Sequence, residues 1–358
     1  MKEIKIGKCT LGPAHNPFII AELSGNHNQD LNLAKDMVQA AANAGVDAIK
    51  LQTYTADSMT LPIDSDNFRI QEKDSLWYGA HLHELYQKAS TPYEWHAELF
   101  SFANSLGLEA FSSPFDEAAV DFLETLNVPC YKIASFELTD LPLIEKAAAT
   151  GKPLIMSTGM ASEAEIQQAI DTAHQAGNAQ IIILKCTSTY PASAENTNLL
   201  TIPDMRQKFN CPVGLSDHTR GIGVSVASVA LGAVAIEKHF VLDRTAGGVD
   251  AEFSLEADEF SALVEASELA FKALGKVTYG GSPAERNSKY YRRSIFACSD
   301  IKAGEPFTRE NVKVVRPALG LAPKHFKQVL QSNATQDIKA GTAIDWPHLQ
   351  NAHNAEQN

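Results

Sequence analysis

Two histidines, His218 and His239, stand in the strings VGLSDHT and IEKHF, each directly after a short apolar run. The runs cover 213–215 and 233–236, and a Gly-rich, small-residue segment, 221–232, lies between them. An apolar run, a helix packed by small residues and a second apolar run spell strand–helix–strand. Parallel strands joined in this way bring their carboxyl ends to one face, which is where such folds bind ligands. Two imidazoles delivered there on neighbouring strands could hold a divalent ion that polarises a carbonyl. With further positions open to water and substrate, the pair suits Mn²⁺, Fe²⁺ or Co²⁺, and Mg²⁺ less naturally. Histidine is also an ordinary hydrogen-bonded core residue, and the chain holds 11 of them. What separates these two is their position at the end of buried-type strands.

Polar chemistry recurs at the end of each other apolar run. The exits carry Glu22 (followed by Ser24, Asn26 and His27), Lys50 and Gln52, Ser112-Ser113, and Lys132 with Ser135 and Glu137 behind it. Further along come Ser157-Thr158-Gly159, Lys185 with Ser188 and Tyr190, and Glu237 beside Lys238. Lys50 and Lys132 together with Ser113, Ser135 and Ser157 offer charge and hydroxyl donors of the kind that grips a phosphate. The alternative for the lysines is a buried ion pair with Glu22 or Glu137, and residue type alone leaves both open. Those two carboxylates are candidates for proton transfer or for stabilising a developing cation. Lys185 could instead snorkel, and Glu237 could pair with a core lysine.

The elements that must position these groups alternate along the chain. After a short N-terminal hairpin, strands are predicted at 18–23, 46–51, 108–111, 130–134, 153–156, 181–184, 213–215 and 233–236. Helices are predicted at 31–44, 92–106, 116–126, 140–150, 162–176, 202–209, 221–232 and 256–274. Thr91 reads as an N-cap with Pro92 in the first turn, Ser162 and Glu165 as a capping box, and Gly151 as a helix stop. An irregular insertion, 53–90, carries Trp77, Tyr78 and Tyr86. Eight strands alternating with eight helices predict a (β/α)₈ TIM barrel. A doubly wound open sheet is disfavoured, because no G-x-G-x-x-G follows a strand.

The barrel is predicted to occupy 1–275, and a linker follows at 276–290, where Tyr279-Gly280-Gly281-Ser282-Pro283 opens a polar run. Beyond it the helical period is lost. DIKAG occurs at 300–304 and again at 337–341, so 291–350 reads as a small, mostly-β domain with internal pseudo-symmetry, and 351–358 as a frayed tail.

A net charge of −13 in 358 residues argues against a nucleic-acid surface, and any anionic substrate must be drawn by a local basic site. Five scattered cysteines, Cys9, Cys130, Cys186, Cys211 and Cys298, form no C-x-x-C and suit reduced thiols in a cytoplasm. Cys130, Cys186 and Cys211 lie in or beside apolar runs and read as buried small hydrophobes. The N-terminus has no apolar signal core, and the longest nearly apolar run, 224–236, is too short to span a bilayer. A soluble, cytoplasmic protein with no membrane partner is expected.

The ordered strings FIIAELSGNHN, AIKLQTY, FSSPFD, YKIASFE, STGM, CTSTYPA, VGLSDHT and IEKHF resemble the sialic acid synthase family of phosphoenolpyruvate-condensing enzymes. VVRPALGLAPK and the DIKAG turns resemble that family's antifreeze-like (SAF) domain. The resemblance implies phosphate contacts at Lys50, Ser113, Lys132, Ser135 and Ser157, and metal ligands at His218 and His239. It places active-site carboxylates at Glu22 and Glu137, carboxylate contacts to the enolpyruvate at Ser216 and Ser188, and sugar-side contacts at Tyr190 and Asp250; Gln52, at a strand exit, is a further substrate-binding candidate. The implied cofactor is a divalent cation, Mn²⁺ first, with Mg²⁺ or Co²⁺ as substitutes. The implied partners are phosphoenolpyruvate, an acetamido sugar and a second copy of the chain, in a domain-swapped homodimer that Arg316 serves. SLWYG at 75–79, Ser188 and GGVDAEFSLE at 247–256 depart from the sialic-acid-forming members and imply a 2,4-diacetamido-2,4,6-trideoxy hexose. The alternatives are an N-acetylneuraminate- or legionaminate-forming member and, in another class, a Schiff-base aldolase using Lys132 or Lys185.

Overall fold

The structure, a computed structural model, describes residues 3–73 and 75–350. The chain divides into two compact units, residues 1–275 and 276–358. The first begins with an antiparallel hairpin, β1 (Ile4–Ile6) and β2 (Cys9–Leu11). Eight parallel strands follow: β3 (Phe18–Glu22), β4 (Ala48–Thr53), β5 (Glu109–Pro114), β6 (Tyr131–Ile133), β7 (Leu154–Ser157), β8 (Ile181–Cys186), β9 (Val213–Asp217) and β10 (Ala235–His239). They close in chain order, β10 returning to β3, into the barrel that the alternation predicts.

Strand interiors are continuous runs of buried Ile, Leu, Val and Ala, as a parallel sheet covered on both sides requires. Each helix lays a small apolar stripe on them. The helix Leu31–Asn43 buries Ala34, Met37, Val38 and Ala41 at helical spacing, and the helix Glu163–Gln175 buries Ile166, Ala169, Ile170 and Ala173. The latter opens on the Ser162–Glu165 capping box, and Gly151 (φ 74°) follows the helix Leu141–Ala149 in the left-handed conformation that ends it.

Three expectations need correction. The insertion at 53–90 is only partly irregular, since Leu82–Ala89 is helical. Thr91 does not cap the next helix: Tyr93–Ser105 begins at Pro92 without a side-chain cap, and the Thr91 hydroxyl is buried against His27 Nε2 at 3.1 Å. The strands run further than the apolar residues alone indicate, so Ser112, Ser113, Ser216, Asp217 and His239 lie within strands. Pairing with neighbouring strands continues the ladder past the point where hydrophobicity stops.

In the second unit β11 (Ser294–Ala297) pairs antiparallel with β12 (Val312–Val315) over a core of Ile295, Phe307, Val312, Val329, Ile338 and Ile344. The two DIKAG copies face one another. Ile301 and Ile338 exchange both backbone hydrogen bonds at 2.8 Å. Lys302 Nζ donates to Asp337 at 2.7 Å, and Lys339 Nζ donates to Asp300 at 2.6 Å. The predicted linker holds two 3₁₀ turns, Pro283–Glu285 and Asn287–Tyr291; the predicted tail lies outside the described residues. Among the described residues no helix is long and apolar enough to cross a membrane.

Two buried imidazoles tie the insertion's end to the barrel. His27 bonds Thr91, and His96 Nε2 lies 2.8 Å from Thr53 Oγ1, which itself lies 2.6 Å from Ser112 Oγ. Burial pushes both down to about 4, with the neighbouring His96 adding to the fall at His27 and backbone carbonyls opposing it at His96. Between pH 6.5 and about 4 the unfolded chain binds the protons that these two residues refuse, so they withdraw stability as pH falls through that window. Buried carboxyls of raised pKa act in the opposite sense, so the comparison must be with a variant. His96→Gln is expected to unfold at lower temperature than wild type at pH 7.5, with the gap narrowing towards pH 4.5 in differential scanning calorimetry.

Candidate active site

Strand register assembles the site. His239 pairs with Glu22, Glu22 with Lys50, Gln52 with Ser113, and Glu237 with Ser216 across adjacent strands. Since alternate residues of a strand share a face, this brings Glu22, Lys50, Lys132, Ser216 and Glu237 together inside the barrel. Lys50 Nζ forms an ion pair with Glu22, donates to Ser113 Oγ at 3.1 Å and lies 3.9 Å from Glu237. Lys132 Nζ lies 3.7 Å from the other oxygen of Glu237, which also accepts from Ser216 Oγ at 3.1 Å. Gln52 Nε2 donates to Glu22 at 2.8 Å.

Glu237 is therefore the hub, a buried carboxylate between two ammonium groups. Burial raises its pKa, but Lys132 and Lys50 outweigh that and hold it below the usual carboxylate range. Glu22, which shares Lys50 with it, is pushed up to about 6 by burial and by the charge of Glu237 against the pull of Lys50. Lys50 is raised, since Glu22 and Glu237 overcome its desolvation; Lys132 is lowered, chiefly by desolvation. The ion-pair reading of the lysines holds: Lys50 pairs with Glu22, and Glu237 pairs with core lysines, although Lys132 meets Glu237 and neither Glu22 nor Glu137.

Hydroxyls flank the lysines. Ser113 and Ser157 are buried, and Ser157 Oγ has no protein partner among the described residues. Ser135 Oγ accepts from the Gly159 amide at 3.1 Å. A Cβ on Gly159 would collide with Ser188 Oγ and crowd Ser135 Oγ at 2.8 Å, so only glycine leaves these hydroxyls where they are. Glu137 ends a 3₁₀ turn after β6; burial pushes it up to about 7 against Lys132, and its Oε2 also lacks a protein partner among the described residues. Buried polar atoms of this kind are satisfied by a polar ligand or by water.

Across the barrel mouth the two imidazoles lie with ring centroids 5.3 Å apart. His218 Nδ1 donates to the Thr187 carbonyl at 3.1 Å, which fixes the tautomer and leaves Nε2 as a lone-pair donor. Burial and the neighbouring positive charges hold His239 well below its usual value, hence neutral, and its Nδ1 is 3.7 Å from Asp250. Burial also works against the charge of His218, but Cys186, the Thr187 carbonyl and Glu237 outweigh it and raise this imidazole. Once His218 gives up its proton, two imidazoles beside a carboxylate suit a divalent ion whose other positions face solvent or substrate. Among the described residues no group of three or more His, Cys, Asp or Glu side chains is placed to enclose an ion, so water or substrate must complete any coordination shell.

The sugar-side candidates stand next to this pair. The Tyr190 ring is 4.6 Å from His218, Phe253 is 4.9 Å from His239, and the Asp250 amide donates to Asn26 at 3.1 Å. Arg316 belongs to the second unit, where it is exposed just after β12. Glu237 was expected to pair with a core lysine, and it pairs with two. Sequence reasoning gave no role to three further contributors. Trp77 stacks towards Tyr190 at 5.9 Å and donates to Val249 O at 2.9 Å, but its place inside a long insertion hid it. Phe253 was seen only as part of GGVDAEFSLE and not singled out. Cys186, read as an apolar filler, lies 3.8 Å from His218 Nδ1 and 3.5 Å from Ser188 Oγ; burial raises its thiol, but His218 outweighs burial and brings it to about 6.

Lysines and carboxylates buried at the carboxyl ends of a closed parallel barrel define a barrel enzyme, not an inert scaffold. Residues 37–279 match the NeuB family and residues 292–350 the SAF domain. A pseudaminic acid synthase of Helicobacter pylori is 47% identical over 329 residues, covering 92% of this chain and 96% of that one. An N,N'-diacetyllegionaminic acid synthase of Legionella pneumophila is 36% identical over 345 residues, covering 95% and 96%. The crystal structure of an N-acetylneuraminic acid synthetase from Leptospira borgpetersenii superposes with a TM-score of 0.72 at 32% identity, over 81% of this chain and 96% of that one. The chain belongs to the NeuB family.

Gly159→Ala tests the hydroxyl cradle. The backbone at this position suits alanine, so the melting temperature should hold while the KM for the phosphate-bearing substrate rises about tenfold or more, roughly 1.4 kcal/mol of binding. An unchanged KM would remove Ser135 and Ser188 from the binding site.

Proposed function

We propose that this chain is a pseudaminic acid synthase, which joins phosphoenolpyruvate, 2,4-diacetamido-2,4,6-trideoxy-L-altrose and water into pseudaminic acid and phosphate. The observation that carries the reading is the 47% identity to the Helicobacter pylori pseudaminic acid synthase, against 36% to the Legionella pneumophila legionaminic acid synthase, each over nearly the whole chain. N-acetylneuraminate or legionaminic acid synthesis is the alternative within the family.

The residues divide the work by charge. Lys50 and Lys132, with Ser113, Ser135 and Ser157, take the phosphate, which neutralises charge otherwise balanced by Glu22 and Glu237. Ser216 and Ser188 hold the enolpyruvate carboxylate. His218 and His239 would bind a divalent cation, Mn²⁺ first, which would serve as a Lewis acid on the sugar aldehyde. Gln52, Tyr190 and Asp250 orient the open-chain sugar. Carbon 3 of the enolpyruvate attacks the aldehyde, and the cationic character left at carbon 2 is stabilised by the Glu137 carboxylate. Glu22, with its pKa near 6, is suited to exchange a proton with the water that adds at carbon 2. The tetrahedral intermediate then collapses with cleavage of the C–O bond, and phosphate leaves against Lys50 and Lys132.

The reading includes a homodimer in which Arg316 serves the partner's barrel, supported by its exposure in the second unit and by the match of residues 292–350 to the SAF domain. The Schiff-base alternative draws its support from Lys132, whose lowered pKa is what an imine-forming lysine needs. Borohydride trapping of a pyruvate adduct separates the two.

Four outcomes are expected. Label from ¹⁸O-water enters the sugar acid and not the phosphate, and turnover is fastest with the altro-configured sugar when it is compared with the manno-configured diacetamido sugar and N-acetylmannosamine. EDTA abolishes turnover and Mn²⁺ restores it; full activity in EDTA would remove the metal from the proposal. The kcat/KM falls as pH drops through about 7, where the free enzyme's Glu137 takes up a proton, and Glu137→Gln loses both this acid limb and at least about 100-fold in rate.

A further inference from the structure

Directly behind the two histidines, on the outer face of the same strands, lies an ion pair that the proposed chemistry does not use. Asp217 precedes His218 and Lys238 precedes His239, and the two are register partners across β9 and β10. Since successive side chains point to opposite faces of a strand, both turn away from the barrel interior, where Ser216 and Glu237 meet. Lys238 Nζ donates to Asp217 Oδ2 at 2.9 Å, and the side chains are 0% and 1% exposed.

The pair is the centre of a larger knot. Asp217 Oδ1 accepts from the Thr219 amide at 2.9 Å and from its hydroxyl at 2.8 Å. Asp217 Oδ2 accepts a second bond from Ser225 Oγ, in the helix Gly223–Ala230, at 2.6 Å. Lys238 also donates to the Thr219 carbonyl. Four donors thus fill the carboxylate, and they come from β10, from the loop after β9 and from the following helix. On the inner side, the His218 carbonyl accepts from the Ala192 amide at 3.0 Å, and Thr219 bridges to Ala192. The chain on both sides of His218 is therefore pinned, and one of the two anchors is the residue adjoining His239.

We propose that the Asp217–Lys238 pair is a positioning device for the His218–His239 pair, fixing the relative height and angle of the two strand exits so that both imidazoles present to one divalent ion; this rests on the metal reading above. A buried ion pair is a poor source of net stability compared with apolar residues of the same volume. What it supplies here is geometry: the bonds are directional, and they join the two strand ends that carry the histidines and no other pair of strands. Supporting partners behind metal-binding histidines commonly govern affinity by one to two orders of magnitude.

The test compares the full-length wild type with Asp217→Asn/Lys238→Met, which removes both charges together and leaves neither ion unpaired. Mn²⁺ binding is measured by isothermal titration calorimetry, beside the melting temperature and the KM for phosphoenolpyruvate. The positioning role predicts that the folded double variant binds Mn²⁺ about 10- to 100-fold more weakly, with the KM for phosphoenolpyruvate nearly unchanged. A folded double variant with wild-type Mn²⁺ affinity overturns the inference. Should the double variant fail to fold, Ser225→Ala removes one bond to Asp217 Oδ2 and keeps the ion pair; it should weaken Mn²⁺ binding a few-fold, and an unaltered affinity again overturns the inference. A wild type that binds no Mn²⁺ would instead refute the metal reading itself, and that result is distinguishable because it needs no variant.

Discussion

Charge balance inside the barrel constrains everything else in the first unit. Two lysine ammonium groups cannot be buried side by side without an anion between them, since an uncompensated buried charge costs several kcal/mol. Glu237 is that anion, within 4 Å of Lys50 and Lys132 through its two oxygens. Its position depends on β10 standing next to β9 and β3, and so on closure of the sheet. The closed barrel and the charged cluster require one another. The cluster needs strand ends arranged around a common axis, and the axis at that level is filled by the cluster instead of by apolar side chains. The arrangement also explains how a molecule with a net charge of −13 can present a binding site for an anion. The two lysine ammonium groups, each beside a carboxylate, are kept from the acidic exterior by burial.

From this hub the site divides into halves with different physics. On the lysine side the groups are charged, fully buried and already bonded to one another, and the hydroxyls of Ser113, Ser135 and Ser157 line its edge. On the histidine side the groups are rings in aromatic contact, Tyr190 and Phe253 packing on His218 and His239 with Trp77 behind them. A small dianion and a larger, uncharged, acetylated sugar call for just these two environments. Glu22 and Glu137, raised to about 6 and about 7, are near enough to neutrality to change protonation state during a reaction.

Much of this was legible in the sequence, for identifiable reasons. Parallel strands buried on both faces leave continuous apolar runs, helices between them leave a 3.6-residue period, and the alternation determines the barrel. The polar residue that ends each run marks the face where ligands bind, which is why Lys50, Lys132, His218 and His239 could be named from position alone. What the sequence could not show is who pairs with whom across strands far apart in the chain. Lys132 was offered Glu22 or Glu137, and Glu237 an unspecified core lysine; that these two meet, 105 residues apart in the chain, is visible only in space. Thr91 looked like a helix cap because local grammar favours one there, yet a buried imidazole 64 residues earlier claims its hydroxyl. Trp77 failed for the same reason: its partners Tyr190 and Val249 are visible only in space.

The C-terminal unit applies pairing across distance to itself. Each DIKAG copy supplies the lysine that the other copy's aspartate accepts, and each aspartate also receives a backbone amide from the opposite copy, Ala303 or Ala340. The unit is thus a symmetric dimer written into one chain, with an interface that never dissociates and whose local concentration is set by the connecting residues. A change in either copy is felt at both halves of the interface at once. The two turns must therefore drift together or not at all, as the matching faces of a two-fold oligomer do.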